Sequence, residues 1–142
     1  LGLHYPESDI PKPARTFFTS NWIRLIPDTK AQPIGLFPTD NPISGQRLDL
    51  TFSLLRSAAD CHMEYLHNMG VGASLTISLM KDQKLWGLIA CHHQTPKHVS
   101  YELRKACEFL GRVVFAEISA KEETEDYGYQ MKLNYVQSAL IE

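Results

Sequence analysis

Alternating polar and apolar residues predict a β-hairpin in the middle of the chain. Along residues 72–80, serine and threonine alternate with leucine and isoleucine, so Ser74 and Thr76 share one face of a predicted strand. Residues 81–84 predict a turn, and residues 85–93 predict a second strand. Because the connection is short, we expect the two strands to pair in antiparallel fashion.

Apolar residues at helical spacing predict three helices. Residues 13–21 predict a short helix with proline in its first turn, and residues 61–69 predict another that ends at Gly70. A long helix is predicted from Ser100 onward, with an acidic middle section and an interruption at Gly128. Its apolar stripe comprises Leu103, Cys107, Leu110, Val114 and Ile118.

A further strand and a long connection precede the second helix. Residues 22–26 predict a strand in which Arg24 shares one face with two large apolar residues. Residues 28–47 hold three prolines and two glycines without periodicity, and a loop of that length is uncommon unless it covers a site. We therefore expect it to pack over one. Residues 48–59 predict one or two short helical turns, and the whole pattern predicts an α+β fold.

Composition limits the class of protein. The 142 residues are 44% hydrophobic and 21% charged, which is typical of one globular domain, and no apolar run is long enough to span a bilayer. The net charge of -2 gives no overall positive field, so neither nucleic acid nor a membrane is an expected partner. Because the chain starts at Leu1 without methionine or a signal peptide, we expect it to be an interior stretch of a longer protein.

The three cysteines indicate a reducing compartment. Cys61, Cys91 and Cys107 are odd in number, lie far apart and show no CxxC spacing. Free thiols of this kind are typical of intracellular proteins. The sequence therefore predicts a cytoplasmic location.

The segment around Cys61 concentrates reactive side chains. Cys61 is followed directly by His62 at the predicted start of a helix, where the helix dipole favours a thiolate. Covalent chemistry is one interpretation, and simple packing of a small apolar residue is a second. A thiol enzyme is a third, although no acidic residue that would orient a histidine base is apparent. A zinc site is a fourth, but the neighbours Cys91 and His92 on a strand point to opposite faces.

Several short motifs occur together in one order along the chain. They are Tyr-Pro-Glu-Ser-Asp-Ile-Pro at 5–11, Asn-Trp-Ile-Arg at 21–24, Leu-Arg-Ser at 55–57, Cys-His at 61–62, Asn-Met-Gly-Val-Gly-Ala-Ser-Leu-Thr-Ile-Ser at 68–78 and Leu-Trp-Gly-Leu-Ile-Ala-Cys-His-His at 85–93. Together they resemble the bilin-binding GAF domain of phytochromes, most closely of cyanobacterial phytochromes. The resemblance covers residues 1–120, and residues 121–142 are expected to form a connecting helix toward a following domain or a dimer partner.

The resemblance implies a fold, a cofactor and a function. It implies an antiparallel GAF-type sheet with flanking helices, of which the N-terminal helix and first strands are expected to precede this chain. It also implies a covalently bound linear tetrapyrrole, with phycocyanobilin favoured, whose photoisomerisation signals to an output domain. The module itself would not be an enzyme. Its implied partners are neighbouring PHY and kinase domains and a second copy that contacts it through the C-terminal helix.

The resemblance also assigns roles to individual residues. Cys61 would form the thioether, His62 would lie beside the ring nitrogens, and the backbone carbonyl of Asp9 would accept the pyrrole N–H groups. The expected propionate ligands are Arg24 and Arg56, with Ser74 and Thr76 at the C-ring propionate. His92 would face the D-ring carbonyl. The expected pocket walls are Tyr5, Tyr65, Ile10, Pro11 and Phe18.

Each of these residues also has an ordinary structural interpretation. The arginines are commonly surface ion-pair partners, and hydroxyl residues such as Ser74 and Thr76 commonly form the solvated face of a hairpin. The aromatic residues commonly pack without a ligand, and Asp9 commonly caps a turn. A GAF domain that binds a small ligand without a covalent bond is a further alternative. The sequence leaves these alternatives open.

Overall fold

The computed structural model describes residues 10–54 and 56–141. Its elements in chain order are α1 (Lys12–Ser20), β1 (Ile23–Ile26), α2 (Asp60–Asn68), β2 (Ala73–Lys81), β3 (Lys84–His93) and α3 (Tyr101–Ile141). Each of these elements begins within one residue of its predicted start. The prediction of an α+β fold is confirmed. The site roles predicted for Tyr5 and Asp9 concern residues outside those that the structure describes.

The three strands form one antiparallel sheet in the order β1-β2-β3. The register places Thr76 between Arg24 and Ala90, and Ser74 between Ile26 and His92. Since side chains alternate along a strand, the sheet has two chemically different faces. The polar face carries Arg24, Ile26, Ser74, Thr76, Ser78 and His92, and the apolar face carries Ile23, Leu25, Leu75, Ile77 and Leu79.

Helix α3 covers the apolar face. Cys107 of α3 packs against the buried cluster formed by Ile23, Leu25, Leu75 and Ile77. At Gly111 the helix approaches so closely that a Cβ atom would lie 2.6 Å from Cγ2 of Ile77, which is why this position requires glycine. One turn later Phe115 packs against Trp86, with ring centroids 5.3 Å apart. These contacts make this half of the molecule a conventional apolar core.

Helices α1 and α2 lie against the polar face. The Ser78 hydroxyl donates a hydrogen bond of 2.9 Å to the carbonyl of Phe18, which ties the end of α1 to the central strand. Leu66 of α2 is almost fully buried and packs against Ile26 and Val71. The two helices thus attach to different strands of the polar face and leave Arg24, Thr76 and Ser74 between their attachment points.

The prediction that residues 28–47 pack over a site is wrong. Thr29 anchors the start of this loop, because its backbone N–H and its hydroxyl bond the carbonyls of Gly72 and Val71 at 3.0 and 2.8 Å. Beyond it every residue from 30 to 40 is exposed, and Phe37 is 100% exposed. A segment without periodic apolar positions has no face to lay on the sheet.

Of the two weaker helix predictions, the short turns are confirmed and the interruption of the long helix is wrong. The short turns predicted for residues 48–59 are present among the described residues, since the Ser53 N–H donates to the Leu50 carbonyl and the Arg56 N–H to the Ser53 carbonyl. Helix α3 is not interrupted at Gly128, since it runs continuously over 41 residues. A single internal glycine costs about 1 kcal/mol of helix stability, which a helix of this length tolerates.

Membrane insertion finds no support in the helices that the structure describes. None of them is both long and apolar enough to cross a bilayer.

Candidate functional site

The first turn of α2 presents the thiol that the sequence singled out. The helix begins at Asp60, directly after Ala59, and Asp60 places a carboxylate near the positive end of the helix dipole. Cys61 follows, is exposed and forms no disulfide. The opposite side of α2 holds the helix in place, because Met63 and Leu66 pack into the cluster around Ile26. The thiol is therefore accessible on a helix that is fixed to the sheet.

His62 follows the thiol on α2 and is influenced by charges on the polar face. The residue as a whole is exposed, yet partial desolvation of its ring is the main cause that lowers the pKa of His62, and the charges of Arg24 and His92 lower it further. The ring also stacks on Tyr65, with centroids 6.2 Å apart and planes inclined by 18°. A neutral imidazole is favoured here, and it offers one hydrogen-bond donor and one acceptor.

Arg24 is a buried cation at the centre of the polar face. It is 7% exposed, and its Nη1 and Nη2 donate to the carbonyls of Leu54 and Arg56 at 2.9 and 2.6 Å. Desolvation, followed by repulsion from Arg56, lowers the pKa of Arg24 to about 10, so the side chain stays charged at neutral pH. Within the described part of the chain it makes no ion pair with a carboxylate.

Arg56 lies next to Arg24 and is held by an aromatic ring. Its Cζ lies 3.9 Å from the centroid of the Phe17 ring, and Cζ of Arg24 lies 5.9 Å from the same centroid. The face of an aromatic ring attracts a cation, so this arrangement keeps two like charges together. The two guanidinium groups form a pair suited to bind anions such as carboxylates.

The hydroxyl residues of β2 are not a solvated surface. Ser74 is only 5% exposed and Thr76 is half-buried, so the solvated-face interpretation is wrong for Ser74. Ser78 already bonds to α1, whereas the described residues supply no hydrogen-bond partner to the hydroxyl groups of Ser74 and Thr76. These two hydroxyl groups therefore remain able to bind a ligand beside Arg24.

The remaining predicted residues lie around this face. Exposed His92 is paired in register with Ser74, and Tyr65 is 47% exposed. Pro11 is exposed directly before α1, with half-buried Ile10 preceding it. Phe18 is half-buried and meets Phe17 edge-on, with centroids 5.6 Å apart.

The candidate site combines buried and exposed side chains, since Arg24 and Ser74 are buried while Cys61 and His92 are exposed. Two clefts, of about 280 and 570 Å³, lie elsewhere, the first beside Trp22 and the second between α1 and Lys84. Cys61 and His62 line neither of them.

The zinc alternative finds no support in the geometry. Among the described residues no group of three or more Cys, His, Asp and Glu side chains lies close enough to hold a metal ion. Cys91 is paired with Leu75 of the apolar face, and His92 with Ser74 of the polar face, so the two neighbours point apart.

Two residues that contribute to this geometry were not predicted as contributors. Phe17 falls within the predicted first helix without a role of its own, although its ring lies under Arg56. Ser78 was recognised only as one of three alternating hydroxyl residues, although it alone of the three bonds to α1. Both contacts join residues that are far apart in sequence, so local periodicity carried no signal for either.

Known proteins resemble this chain over its whole length. The family model described as the GAF domain matches residues 3–121. The chain is 72% identical to cyanobacterial phytochrome A from Nostoc sp. and 61% identical to a phytochrome-like protein from Synechocystis sp.; each comparison covers 100% of this chain and 19% of the relative. The chain thus spans about a fifth of the length of these curated relatives.

Solved structures show the same fold. The chromophore-binding domain of a bacteriophytochrome from R. palustris matches with a TM-score of 0.83 and 46% identity, over 88% of this chain and 41% of that one. The corresponding domain from Stigmatella aurantiaca matches with a TM-score of 0.74 and 53% identity, over 84% and 39%. The prediction of a GAF-type fold is confirmed by these comparisons.

Proposed function

Since the chain belongs to the GAF domain family, we propose that it binds a linear tetrapyrrole, a bilin, through Cys61 and serves as the red/far-red light-sensing module of a longer protein. The observation that carries this proposal is one constellation. An exposed thiol lies on a helix whose next residue, His62, is influenced by the charge of Arg24, and Arg24 shares a sheet face with Ser74 and Thr76. Similarity to cyanobacterial phytochromes supports the same class of ligand.

The charged residues fit the carboxylates of a bilin. Such a pigment carries two propionates, and guanidinium groups bind carboxylates through paired hydrogen bonds. Arg24 and Arg56 supply two adjacent positive charges that no carboxylate neutralises by an ion pair in the described residues. We propose that Arg56 binds one propionate directly and that Arg24, which bonds the backbone carbonyl of Arg56, also fixes this segment. Ser74 and Thr76 would donate to the C-ring propionate.

The histidines fit the nitrogens and the carbonyl groups of the pigment. We propose that His62 lies beside the ring nitrogens and that His92 bonds the D-ring carbonyl. A neutral His62 can donate from one ring nitrogen and accept at the other, so it suits a mixed set of N–H and N groups. The walls from Ile10, Pro11, Phe18 and Tyr65, together with Tyr5 and the Asp9 carbonyl, remain predictions from the family resemblance.

The role proposed for Cys61 is a tether rather than a nucleophile in a catalytic cycle. Its sulfur and proton would add across a carbon–carbon double bond of the A-ring side chain, so a thioether forms, no group leaves and no oxidant is needed. When bound, the bilin, for which we favour phycocyanobilin, supplies absorption of red light and isomerisation about its C15=C16 bond. We therefore propose no enzymatic activity for these residues themselves.

The long helix α3 supports a role in signalling to other parts of a cytoplasmic protein. Its distal half carries exposed apolar side chains, including Tyr127, Tyr129, Met131, Tyr135 and Val136. We propose that residues 121–142 connect this module to neighbouring PHY and kinase domains and pair with the same helix of a second copy. Light scattering over a range of protein concentrations tests the pairing, and a constant monomer mass would contradict it.

Pigment attachment provides the decisive experiment. The longest natural polypeptide that contains this chain is produced together with phycocyanobilin, denatured and examined for zinc-induced fluorescence. We expect a fluorescent band that the Cys61→Ala variant loses and that the Cys91→Ala variant retains, because Cys91 lies on the apolar face. A protein that is colourless before denaturation would contradict the photoreceptor proposal. Colour that disappears on denaturation would instead support non-covalent ligand binding.

A further inference from the structure

The ring of Phe17 lies against the guanidinium groups of Arg24 and Arg56 on the polar face. Its ring centroid lies 3.9 Å from Cζ of Arg56 and 5.9 Å from Cζ of Arg24. Phe17 itself is held in place at the end of α1, because the backbone and side-chain N–H groups of Asn21 both donate to its carbonyl, at 2.9 and 3.3 Å. Since the ring is fixed to the helix, it can define the position of a guanidinium that rests on it.

The two arginines differ in what else holds them. Arg24 is fixed by hydrogen bonds to the carbonyls of Leu54 and Arg56. For the guanidinium of Arg56, the described residues supply the Phe17 ring and no hydrogen bond. The ring is therefore the contact that orients Arg56.

Asp49 does not take that role. Hydrogen bonds from Thr51 are the largest cause that lowers the pKa of Asp49, and the charge of Arg56 is the smallest contribution. Asp49 is exposed and makes no ion pair with Arg56. The acidic residue near Arg56 thus leaves the guanidinium available to an incoming anion.

We propose that Phe17 is a positioning residue, whose ring stacks on Arg56 and presents its guanidinium to a carboxylate of the ligand on the polar face. The inference rests on the proposed function, in which this carboxylate is a bilin propionate. The ring attracts the cation electrostatically and offsets part of its repulsion by Arg24, so the two charges stay close together. Leucine at this position preserves apolar bulk and removes the ring.

The neighbouring residue provides a matched control. Phe18 lies on the same helix, is also half-buried and meets Phe17 edge-on, but no guanidinium rests on its ring. Replacement of Phe18 by leucine therefore tests the loss of an aromatic ring from the same packing environment. Phe17→Tyr tests the opposite case, because it keeps a ring under Arg56.

The test compares two ligands that differ only in charge. Binding of phycocyanobilin and of its dimethyl ester is measured by absorption titration on the longest natural polypeptide, with Cys61→Ala introduced so that binding is reversible. We expect Phe17→Leu to weaken binding of the free acid roughly 3- to 20-fold and to leave binding of the ester unchanged. Phe17→Tyr should retain the affinity for the free acid, and Phe18→Leu should change the affinity for both ligands by the same factor.

A double-mutant cycle gives a second measurement of the same contact. In an Arg56→Gln background, Phe17→Leu should have no further effect on the affinity for the free acid. An equal loss for acid and ester, or an undiminished effect in the Arg56→Gln background, would overturn the positioning role and leave only packing. If the Cys61→Ala polypeptide with Phe17 and Arg56 intact binds neither ligand while the polypeptide with Cys61 intact gains the fluorescent band, the positioning role is overturned and the proposed function stands. If the polypeptide with Cys61 intact gains no band either, the proposed function itself fails, which is a distinguishable result.

Discussion

The two faces of the sheet are built from the same strands and are buried to similar degrees, yet they differ in what completes them. On the apolar face, Leu25 and Ile77 are enclosed by side chains of this chain, and α3 comes so close that Gly111 leaves no room for a Cβ atom. On the polar face, Ser74 and Arg24 are equally inaccessible, but their neighbours are hydroxyl groups, carbonyls and another cation. The first face is packed with apolar side chains, whereas on the second the described residues leave the Ser74 hydroxyl without a hydrogen-bond partner and Arg24 without an ion pair.

This difference indicates where stability and function are located. Burial of a cation is unfavourable unless partners offset the lost hydration, and the lowered pKa of Arg24 reports that cost. A face selected only for stability would carry apolar residues at these positions. The proposed function accounts for these polar residues by a bound carboxylate, whereas the apolar face fixes the strands that present them.

The largest expected effect is the loss of apolar packing. Leu25 is 2% exposed in the cluster under α3, so Leu25→Ala should lower the free energy of unfolding by about 2–5 kcal/mol. Urea unfolding followed by circular dichroism measures this change. Ile34→Ala is the matched control, because Ile34 is 95% exposed in the loop and should change the stability little. An equally small loss at Leu25 would contradict the assignment of the core.

The division into two faces could be predicted from the sequence because strand periodicity is local. The alternation of Ser74 and Thr76 with Leu75 and Ile77 correctly assigned these residues to opposite faces. Arg24 was correctly placed on the same face as Ile26 for the same reason. Periodicity and family resemblance together thus predicted the helices and strands of residues 10–54 and 56–141 and also proposed the residues of the site.

Periodicity could not predict contacts between elements. The position of Phe17 under Arg56 depends on how α1 and the segment after residue 48 meet, and no local pattern encodes that meeting. The close approach at Gly111 likewise depends on the register of α3 against β2. For the loop of residues 28–47 a contact was predicted that the structure does not show. Its length predicted that it packs over a site, but its residues 30–40 are exposed.

An intermediate loss of stability is expected for one of two serines on the polar face, Ser78, and a smaller loss for the other, Ser74. Ser78 donates a hydrogen bond to the Phe18 carbonyl, whereas the described residues provide no such partner to the Ser74 hydroxyl. Ser78→Ala should therefore lower the free energy of unfolding by about 0.5–1.5 kcal/mol, and Ser74→Ala should lower it less. Urea unfolding of both variants without pigment makes the comparison. If Ser74→Ala cost as much as Ser78→Ala, the Ser74 hydroxyl would have a structural role.

The smallest expected effect is a dependence of stability on pH that arises from the polar face. Partial desolvation, followed by the charges of Arg24 and His92, lowers the pKa of His62 in the folded chain. The unfolded chain therefore binds a proton near the ordinary pKa of about 6.5, while folded His62 remains neutral. The contribution of His62 is present above that pH and is lost as the pH falls through the ordinary value to the lower folded value. Because the residue is exposed to water on one side, screening keeps this effect small.

The His62→Gln variant should lose this dependence of stability on pH. Its free energy of unfolding, measured by urea unfolding at pH 7.5 and at pH 5.5, should therefore fall less between the two pH values than that of the original chain. The control is His67→Gln, which replaces an exposed histidine on the same helix. Equal pH dependence in the His62→Gln variant and the original chain would show that His62 is not desolvated by the polar face.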